Sequence, residues 1–429
     1  MKRLESFENS LKRTKMGLFI WGVNVYTRPL NSAVNFFVNF LFFIELAWLH
    51  TDVFGEIHWF VEGLHLNKSF TQLSMIAPCT TLCLLATVKI IPLYYNRGLL
   101  VKIMNKLRQL HPKIKENHLN DAAFTNYNDT VDNFNRHAEN AADILIDSRM
   151  KLHAANGADI LKDSRSEYSE LEKKEWRIVK ESTTFLNAVV TLLYITSIVV
   201  TSVFAIVPIA WMVYGYFKDG KVELKLPFLI KYIFDPFTRT RWPFAYFHQV
   251  WSTAIVLTGI FSADSLLYAF CVYTQMHFRI LGVQYENVVS WSASATEQRF
   301  VRLIKRHQEL IKLVDDIETI YSKSTLFNII SSSFLICLTA FNVTVNCDFS
   351  SVVAFLTFLV LSLSQIFLLC LLGDVLMRSV TYYKMLIVFL CQKPCKLSAA
   401  NFTDLNLTTF TAILSRSWSY FALLKTMYK

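Results

Sequence analysis

The sequence predicts an all-α membrane protein with seven transmembrane helices, a cytoplasmic N-terminus and an extracellular C-terminus. Of its 429 residues, 53% are hydrophobic and only 18% are charged, and the mean hydropathy is +0.34. This balance is typical of a polytopic membrane protein. The apolar residues also gather into stretches long enough to cross a hydrocarbon core of about 30 Å.

The N-terminal segment, residues 1–32, predicts the orientation. It is polar and basic, and its basic residues precede the first apolar stretch. Basic flanks favour the cytoplasmic side of a membrane. No apolar core follows them directly, so we expect no cleavable signal peptide. The first span is predicted at about 33–50, followed by an external loop at 51–69 with a glycosylation sequon at Asn67-Lys68-Ser69.

The remaining spans follow from the apolar stretches, with polar segments between them. Pro208 falls inside the third span, where neighbouring helices would satisfy the carbonyl that it frees. The predicted organisation is a cytoplasmic N-terminal segment (1–32), helices 1 and 2 (33–95), a cytoplasmic loop (96–182), helices 3 and 4 (183–278), a cytoplasmic region of helical extensions (279–324), helices 5 and 6 (325–376), a short cytoplasmic leg (377–400) and helix 7 (401–429).

The loop at 96–182 contains a tandem duplication. The stretch 137–149 recurs at 153–165 with ten of thirteen positions identical. A shift of sixteen residues turns a helix by about 160°, so the second copy would not extend the apolar face of the first. We expect a mobile or loosely helical cytoplasmic excursion, with a partner-binding role as the alternative.

The last helix has small and hydroxyl residues along one side. At 100° per residue these fall within about 80° of arc. The stripe consists of Thr408, Thr411, Ser415, Ser419, Ala422 and Thr426, and the apolar side of Phe410, Ile413, Leu414, Phe421 and Leu424. Two interpretations stay open on this pattern: a small-residue seam between membrane helices, or a pore-lining helix.

The residues argue against several other classes of protein. The basic residues lie mostly in short clusters beside apolar stretches, which argues against nucleic-acid binding. Hydrolase, zinc-protease and phosphate-loop motifs are missing, so we expect no enzyme and no cofactor. Cys391 and Cys395 have no further ligand at zinc spacing. Asp264 and Asp374, within predicted spans, are interpreted as helix-packing groups.

Several distinct short motifs lie between residue 226 and the end of the chain. They are Leu226-Pro227, Phe234-Asp235-Pro236, Tyr246-Phe247-His248-Gln249, Gln392-Lys393-Pro394, Phe410-Thr411 with Ile413-Leu414, and Ser419-Tyr420-Phe421-Ala422-Leu423-Leu424. In these residues the chain resembles an insect odorant receptor of the ligand-tuned kind. The resemblance covers most of the chain apart from the duplicated stretch in the loop at 96–182.

The resemblance implies a subunit of a heteromeric tetrameric cation channel in the plasma membrane of an olfactory neuron dendrite. It implies assembly with the odorant receptor coreceptor, contact with membrane lipid, and a cytoplasmic anchor at 279–324. The last helix would line the pore, with Leu423 and Met427 as the apolar gate and Thr426 as a polar ring between them. Leu423 lies closer to the small-residue stripe than Met427 does.

The same resemblance implies that a small volatile organic ligand binds among helices 2, 3, 4 and 6. Such a pocket needs aromatic and aliphatic walls with few polar groups. We name four aromatic side chains as candidate lining residues: Tyr94, Tyr194, Phe261 and Phe355.

Three other seven-helix or transport classes are alternatives. A G-protein-coupled receptor normally has an external N-terminus, an acidic-Arg-Tyr motif and Asn-Pro-x-x-Tyr, and these motifs are missing here. A gustatory-receptor-like channel normally ends in a Thr-Tyr and Gln-Phe pattern that Ser419-Tyr420 does not complete. A transporter would show repeated halves, which are not evident.

The connection between helix 6 and the following leg is shorter than the resembled family implies. Residues 373–378 run almost directly into 379–384, and no Pro and no Gly after Gly373 mark a reversal there. Tight reversals normally use Gly, Asn, Asp or Pro. We therefore expect a shortened variant whose leg either reverses abruptly or continues helix 6.

Overall fold

A computed structural model shows an almost entirely helical chain. It describes residues 2–26, 31–111, 148–220, 222–287, 293–345, 349–384 and 396–427. The helices of this part of the chain are α1 (Lys2–Ile20), α2 (Ser32–His65), α3 (Phe70–Ser74), α4 (Ala77–Tyr95), α5 (Arg97–Leu110), α6 (Ser148–Asp219), α7 (Trp242–Glu286), α8 (Ala293–Val345), α9 (Phe349–Lys384) and α10 (Leu407–Met427). A two-stranded antiparallel hairpin, β1 (Ser398–Ala399) and β2 (Thr403–Asp404), precedes α10.

Six helical segments of the described chain are long and apolar enough to cross a membrane. They are Ser32–His65, Phe70–Tyr95, Glu170–Lys218, Trp242–Glu286, Thr296–Val345 and Val352–Ser379. Helix α10, the predicted seventh span, has 21 residues, but its hydroxyl residues, Arg416 and Lys425 make it more polar than these six. A helix of this length rises about 30 Å.

Helix α7 is the centre of the bundle. In its most apolar 18-residue window, 94% of the residues are buried, whereas the corresponding windows of α2 and α6 are 22% and 33% buried. A helix that is apolar on all sides is stable only when other helices surround it. Helices α1, α2, α4, α6, α8 and α9 all pack against α7.

The N-terminal segment forms a helix that packs into the bundle. Phe7, Leu11 and Leu18 of α1 are fully buried, at the spacing of one helical face. The indole of Trp21, just after α1, donates a hydrogen bond to the carbonyl of Ile255 in α7 at 3.0 Å. The segment therefore combines basic residues with an apolar stripe that the prediction of a polar segment did not include.

Helix α2 differs from its predicted bounds. We expected a span at 33–50 and a loop at 51–69, but α2 continues to His65. The prediction ended the span just before Asp52 and Glu56. That step was wrong because Asp52 and Glu56 point into the bundle and are only 3% and 2% exposed.

The predicted helical extensions are visible on either side of residues 288–292. Helix α7 continues to Glu286 and α8 begins at Ala293, so both are far longer than their apolar cores. Helix α6 begins at Ser148 and includes the second copy of the duplicated stretch, whereas the first copy lies almost wholly outside the described residues. The role predicted for the duplication stays a prediction.

Helix α9 runs through the predicted reversal without a break, ending at Lys384. This agrees with the second of the two alternatives, in which the leg continues helix 6. Residues 385–395 of the predicted leg, which include Cys391 and Cys395, lie outside the described residues.

The hairpin fixes the start of α10 to its neighbours. Ser398 donates a hydrogen bond to the carboxylate of Glu318 in α8, and the Ala400 amide donates one to the Ser322 hydroxyl at 2.8 Å. Leu405 lies against Gly373 of α9, where an added Cβ would come within 2.5 Å of the Leu405 carbonyl oxygen. Glycine is required at Gly373 because the two backbones approach so closely.

A buried ion pair joins three membrane helices. Lys89 Nζ of α4 lies 2.5 Å from Asp264 Oδ1 of α7, and both side chains are 6% exposed. The Gln365 amide of α9 donates to the second oxygen, Oδ2, at 2.7 Å. Asp264 is therefore a packing group with its charge and both oxygens satisfied, as buried charges require.

Candidate functional site

The segment between α6 and α7 folds over one end of the bundle and covers a cavity. Gln249 of α7 exchanges two hydrogen bonds with the backbone of Phe228: it accepts from the amide at 2.9 Å and donates to the carbonyl at 3.3 Å. The Lys231 amide donates to the Gly55 carbonyl of α2 at 3.1 Å. Residues 228–231 are thereby fixed between α2 and α7.

Gly55 makes this closure possible. A Cβ at Gly55 would lie 2.4 Å from the side chain of Ile230. No side chain fits there without moving the covering segment, so glycine is needed for the close approach and not for its backbone angles.

The cavity under this segment is small and has two acidic residues among those that line it. Its free volume is about 40 Å³, which is enough for two or three waters but far below the roughly 300 Å³ of a typical ligand pocket. Asp52 and Glu56 are the only charged residues among those that line it. The wall is formed by Asp52, Glu56, Cys79, Leu82, Cys83, Val200, Phe204, Phe228, Ile230, Gln249, Ser252, Thr253, Val256, Leu257, Phe358 and Leu361.

The two carboxylates differ in how well they are satisfied. Glu56 accepts a hydrogen bond from the Thr80 hydroxyl at 2.6 Å. Asp52 Oδ1 accepts none within the described part of the chain, although it is completely shielded from solvent. Nδ1 of His248 lies 3.2 Å from that oxygen.

The neighbours of His248 explain why it does not serve Asp52. Its Nε2 lies 2.8 Å from the Thr51 hydroxyl, which already donates to the Trp48 carbonyl at 2.6 Å, so Nε2 is the ring's donor. In a neutral ring Nδ1 is then an acceptor, and the Tyr232 hydroxyl lies 3.1 Å from it. Neutral His248 therefore has no proton to give to Asp52.

A larger groove adjoins the acidic cavity. It lies between α6 and α9, has a free volume of about 660 Å³, and is lined mostly by apolar side chains that include Val207, Trp211 and Val353. Phe204 lines both spaces. Its ring packs against Phe228 and Phe358 at centroid distances of 5.1 and 5.3 Å. These three rings, the phenylalanine partition, separate the acidic cavity from the groove.

The four aromatic residues named from the sequence lie elsewhere. Tyr94 stacks on Phe42 at 3.8 Å, and the Tyr194 hydroxyl donates to the Arg13 carbonyl at 2.6 Å. Phe261 and Phe355 are buried at 6% and 3% exposure. None of the four is among the residues that line the cavity or the groove, and their role as ligand contacts stays a prediction.

Helix α10 is packed on one side only. Ile413, Ser417 and Phe421 are buried, and the Ser417 hydroxyl lies 3.2 Å from the Ser333 carbonyl of α8. Every member of the predicted small-residue stripe is exposed. The candidate pore residues are exposed too, Leu423 by 58% and Met427 by 76%, and Thr426 lies between them.

The acidic cavity was missed at the level of sequence, although a signal for it was present. Glu45, Asp52 and Glu56 are separated by seven and four residues, which places them within about 40° on one helical face. An acidic stripe on an apolar helix indicates that this face points inward, because carboxylates are costly in lipid.

Comparison with known proteins places the chain in a family. The family model described as 7tm Odorant receptor matches residues 158–381, just over half of the chain. The chain belongs to the odorant receptor family. Its six candidate spans and its odorant receptor relatives make it a multi-pass membrane protein, and the family consists of receptors and not of enzymes.

Individual odorant receptors support the assignment. Odorant receptor 13a of Drosophila melanogaster is 26% identical over 265 residues, covering 52% of this chain and 63% of the relative. Odorant receptor 67c of the same organism is 28% identical over 249 residues, covering 50% of this chain and 61% of the relative. The aligned region thus spans about three fifths of these relatives' lengths.

The fold is that of a solved insect receptor. The structure of olfactory receptor OR5 from Machilis hrabei in complex with eugenol superposes with a TM-score of 0.71 at 15% identity, covering 99% of each chain. A further structure of the same receptor gives a TM-score of 0.71 at 16% identity. This likeness shows that the odorant receptor chain described here has the same fold.

Proposed function

We propose that this chain is an odorant-sensing subunit that opens a non-selective cation channel together with the odorant receptor coreceptor. The observation that carries the proposal is the one-sided packing of α10. Its small-residue stripe is exposed along the whole helix, while the opposite face packs on α8. A membrane helix with an unpacked, wettable face fits a position around a shared pore.

Ligand binding is supported by the spaces next to the phenylalanine partition. The groove has the volume of a small-molecule pocket, and it adjoins a cavity built by α2, α4, α6, α7 and α9. A ligand opens the channel only if it binds the open arrangement more tightly than the closed one. Tyr94, Tyr194, Phe261 and Phe355 remain proposed contacts of the ligand.

The proposal includes a plasma membrane location with Met1 inside and Lys429 outside the cell. Its support is the basic segment that precedes the first span. Membership of the odorant receptor family favours this topology over that of a G-protein-coupled receptor, and favours an odorant over a gustatory role. An epitope at Met1 that antibodies reach on intact cells would contradict it.

Currents in coexpressing cells test the proposed function. We expect a panel of volatile organic compounds to evoke cation currents when this chain and the coreceptor are present, and no such currents from this chain alone. The coreceptor alone is the control for ligands that act on it directly. If both proteins reach the surface and no compound evokes a current that depends on this chain, the proposal fails.

The gate assignment gives a prediction at Leu423. Four apolar side chains around a narrow axis leave ions without hydration partners, which keeps a closed pore dry. Leu423→Ser replaces that group with a hydroxyl, and we expect a severalfold rise in current without ligand. Tyr420→Ser is the matched control, since Tyr420 is exposed on the same helix but lies about 60° further from the stripe. Equal leak in the two variants, at equal surface expression, would contradict the assignment.

A further inference from the structure

The turn between α2 and α3 contains the sequon Asn67-Lys68-Ser69 and holds it in a defined geometry. The Lys68 amide donates to the Gly63 carbonyl at 3.0 Å, and the Asn67 amide donates to the Leu64 carbonyl at 3.1 Å. These two bonds form the Schellman motif that commonly ends a helix. Asn67 occupies its left-handed position, with φ 51°, and is exposed. The acceptor asparagine of the sequon therefore lies on the surface, just past the end of α2.

The end of α2 lies at an aqueous edge of the bundle. Its 34 residues rise about 51 Å, which exceeds the roughly 40–45 Å of a bilayer with its headgroups. In the last turn, the Glu62 carboxylate pairs with Lys231 Nζ at 2.8 Å, and the two side chains are 37% and 42% exposed. Half-exposed charges are costly in hydrocarbon. Asn67 follows this ion pair and is therefore outside the hydrocarbon core.

Four further sequons in the chain allow a comparison. The sequence has Asn-x-Ser or Asn-x-Thr at Asn67, Asn128, Asn342, Asn401 and Asn406. Asn342 is fully buried, and its Nδ2 donates to the Ser74 hydroxyl and to the Leu338 carbonyl, both at 3.0 Å. A glycan is bulky and needs the surface, so Asn342 has no room for one. Asn128 lies outside the described residues.

Helix α8 separates the α2–α3 turn from the hairpin that contains Asn401. The hairpin contacts α8 at Ser322, through the Ala400 amide. Helix α3 contacts α8 at Asn342, whose Oδ1 accepts from the Ser74 hydroxyl at 3.2 Å. Ser322 and Asn342 are twenty residues apart on one helix, or about 30 Å, the thickness of the hydrocarbon core. The two exposed sequons, at Asn67 and Asn401, therefore lie at opposite ends of the bundle.

We propose that Asn67 carries an N-linked oligosaccharide in the cell. This inference rests on the topology of the proposed function, in which the α2–α3 turn is outside the cell and the hairpin inside. Asn67 Nδ2 forms a bond to the anomeric carbon of a lipid-pyrophosphate-linked oligosaccharide. The bond from that carbon to the pyrophosphate oxygen breaks, the lipid pyrophosphate leaves, and the amide loses one proton to solvent. No oxidant or reductant takes part.

The turn accommodates the glycan without losing its own hydrogen bonds. Asn67 contributes to the Schellman motif through its backbone amide, which the modification leaves intact. Ser69 begins α3 with a capping box: its hydroxyl accepts from the Gln72 amide at 3.4 Å, and its amide donates to Gln72 Oε1 at 3.2 Å. The sugar is attached to neither group, so the folded turn is the same with and without it.

Digestion with a peptide N-glycosidase tests the proposal on the full chain, expressed with the coreceptor in cultured mammalian cells. We expect digestion to increase the electrophoretic mobility of the chain that reaches the surface. The enzyme converts a glycan-bearing asparagine to aspartate, so mass spectrometry should find aspartate in place of Asn67. An undigested sample is the control for spontaneous deamidation.

Two variants remove the sequon while keeping the turn. Asn67→Gly removes the acceptor amide and retains a residue that is favoured in the left-handed position. Ser69→Asp removes the hydroxyl of the sequon and retains a good helix N-cap. Both should abolish the mobility shift. Ser69→Thr keeps the cap and the sequon, and Asn401→Gly changes the sequon at the other end of the bundle. Both of these should retain the shift.

Three outcomes would overturn the proposal. If digestion leaves the mobility of the surface-expressed chain unchanged while volatile compounds evoke currents, the glycan is absent and the proposed function stands. If the shift persists in Asn67→Gly and in Ser69→Asp, the glycan is attached elsewhere. Aspartate in place of Asn401 or Asn406 after digestion would show that the hairpin is outside the cell, which contradicts both the glycan at Asn67 and the proposed topology.

Discussion

Lys89→Met is expected to destabilise the membrane domain by about 3–5 kcal/mol, because it leaves Asp264 as an unpaired charge among α4, α7 and α9. The ion pair is 2.5 Å long and both side chains are 6% exposed, so water does not replace the lost ammonium. The expected result is a sharp loss of folded protein on gel filtration in detergent and a lower thermal unfolding midpoint.

Two further variants separate the loss of a partner from the loss of packing. The double variant Lys89→Met with Asp264→Asn removes both charges and keeps an acceptor for the Gln365 amide, so it should recover most of the stability. Lys102→Met is the control for an exposed pair: Lys102 lies 3.7 Å from Asp316 and is 63% exposed, and such pairs contribute about 0–1 kcal/mol. A single variant as stable as the double one would contradict this account of the pair.

Gly259→Ala is expected to destabilise the contact between the N-terminal segment and α7 by about 1–3 kcal/mol. The added Cβ would lie 2.7 Å from Nε1 and 2.8 Å from Cε2 of the Trp21 indole. This rigid, fully buried ring has no free space beside it, and its N–H is held by the Ile255 carbonyl at 3.0 Å. A lower midpoint and faster proteolysis within α1 are the expected readouts.

Gly215→Ala, also in a long membrane helix, should instead stabilise the folded protein. No atom lies within 4 Å of the Cβ position at Gly215. The substitution then changes only helix propensity, which favours alanine by up to about 1 kcal/mol. Equal destabilisation by the two alanines would mean that the Trp21 contact is not the cause.

Residue spacing in the sequence predicts which side of a helix is apolar, but not which other helices that side contacts. The two sides of α10 were predicted from residue spacing alone, and the structure exposes the whole stripe from Thr408 to Thr426 while burying Ile413 and Phe421. Spacing works here because one side of the helix has a consistent chemistry along its length.

The acidic cavity could not be predicted in the same way, because hydropathy alone places acidic residues such as Asp52 and Glu56 outside a span. Asp52 and Glu56 are polar by composition, yet their surroundings come from α4, α7 and the segment at Phe228, which are distant in sequence. The candidate aromatic residues show that a suitable residue type does not fix a position in the pocket. Tyr94 has the composition expected of a pocket wall, but it stacks on Phe42 between two helices.

The attachment of α10 at the hairpin constrains how that helix moves. Ser398, Ala400 and Leu405 hold its first end against α8 and α9, whereas Met427 at the other end is 76% exposed. A helix held at one end pivots more readily than it slides. Because α10 is about 30 Å long, a tilt of about 5° about the hairpin moves its far end sideways by about 2.6 Å. If four such helices surround a pore, as proposed, a small rearrangement where α8 and α9 meet the hairpin would change the diameter that their far ends enclose by several ångströms.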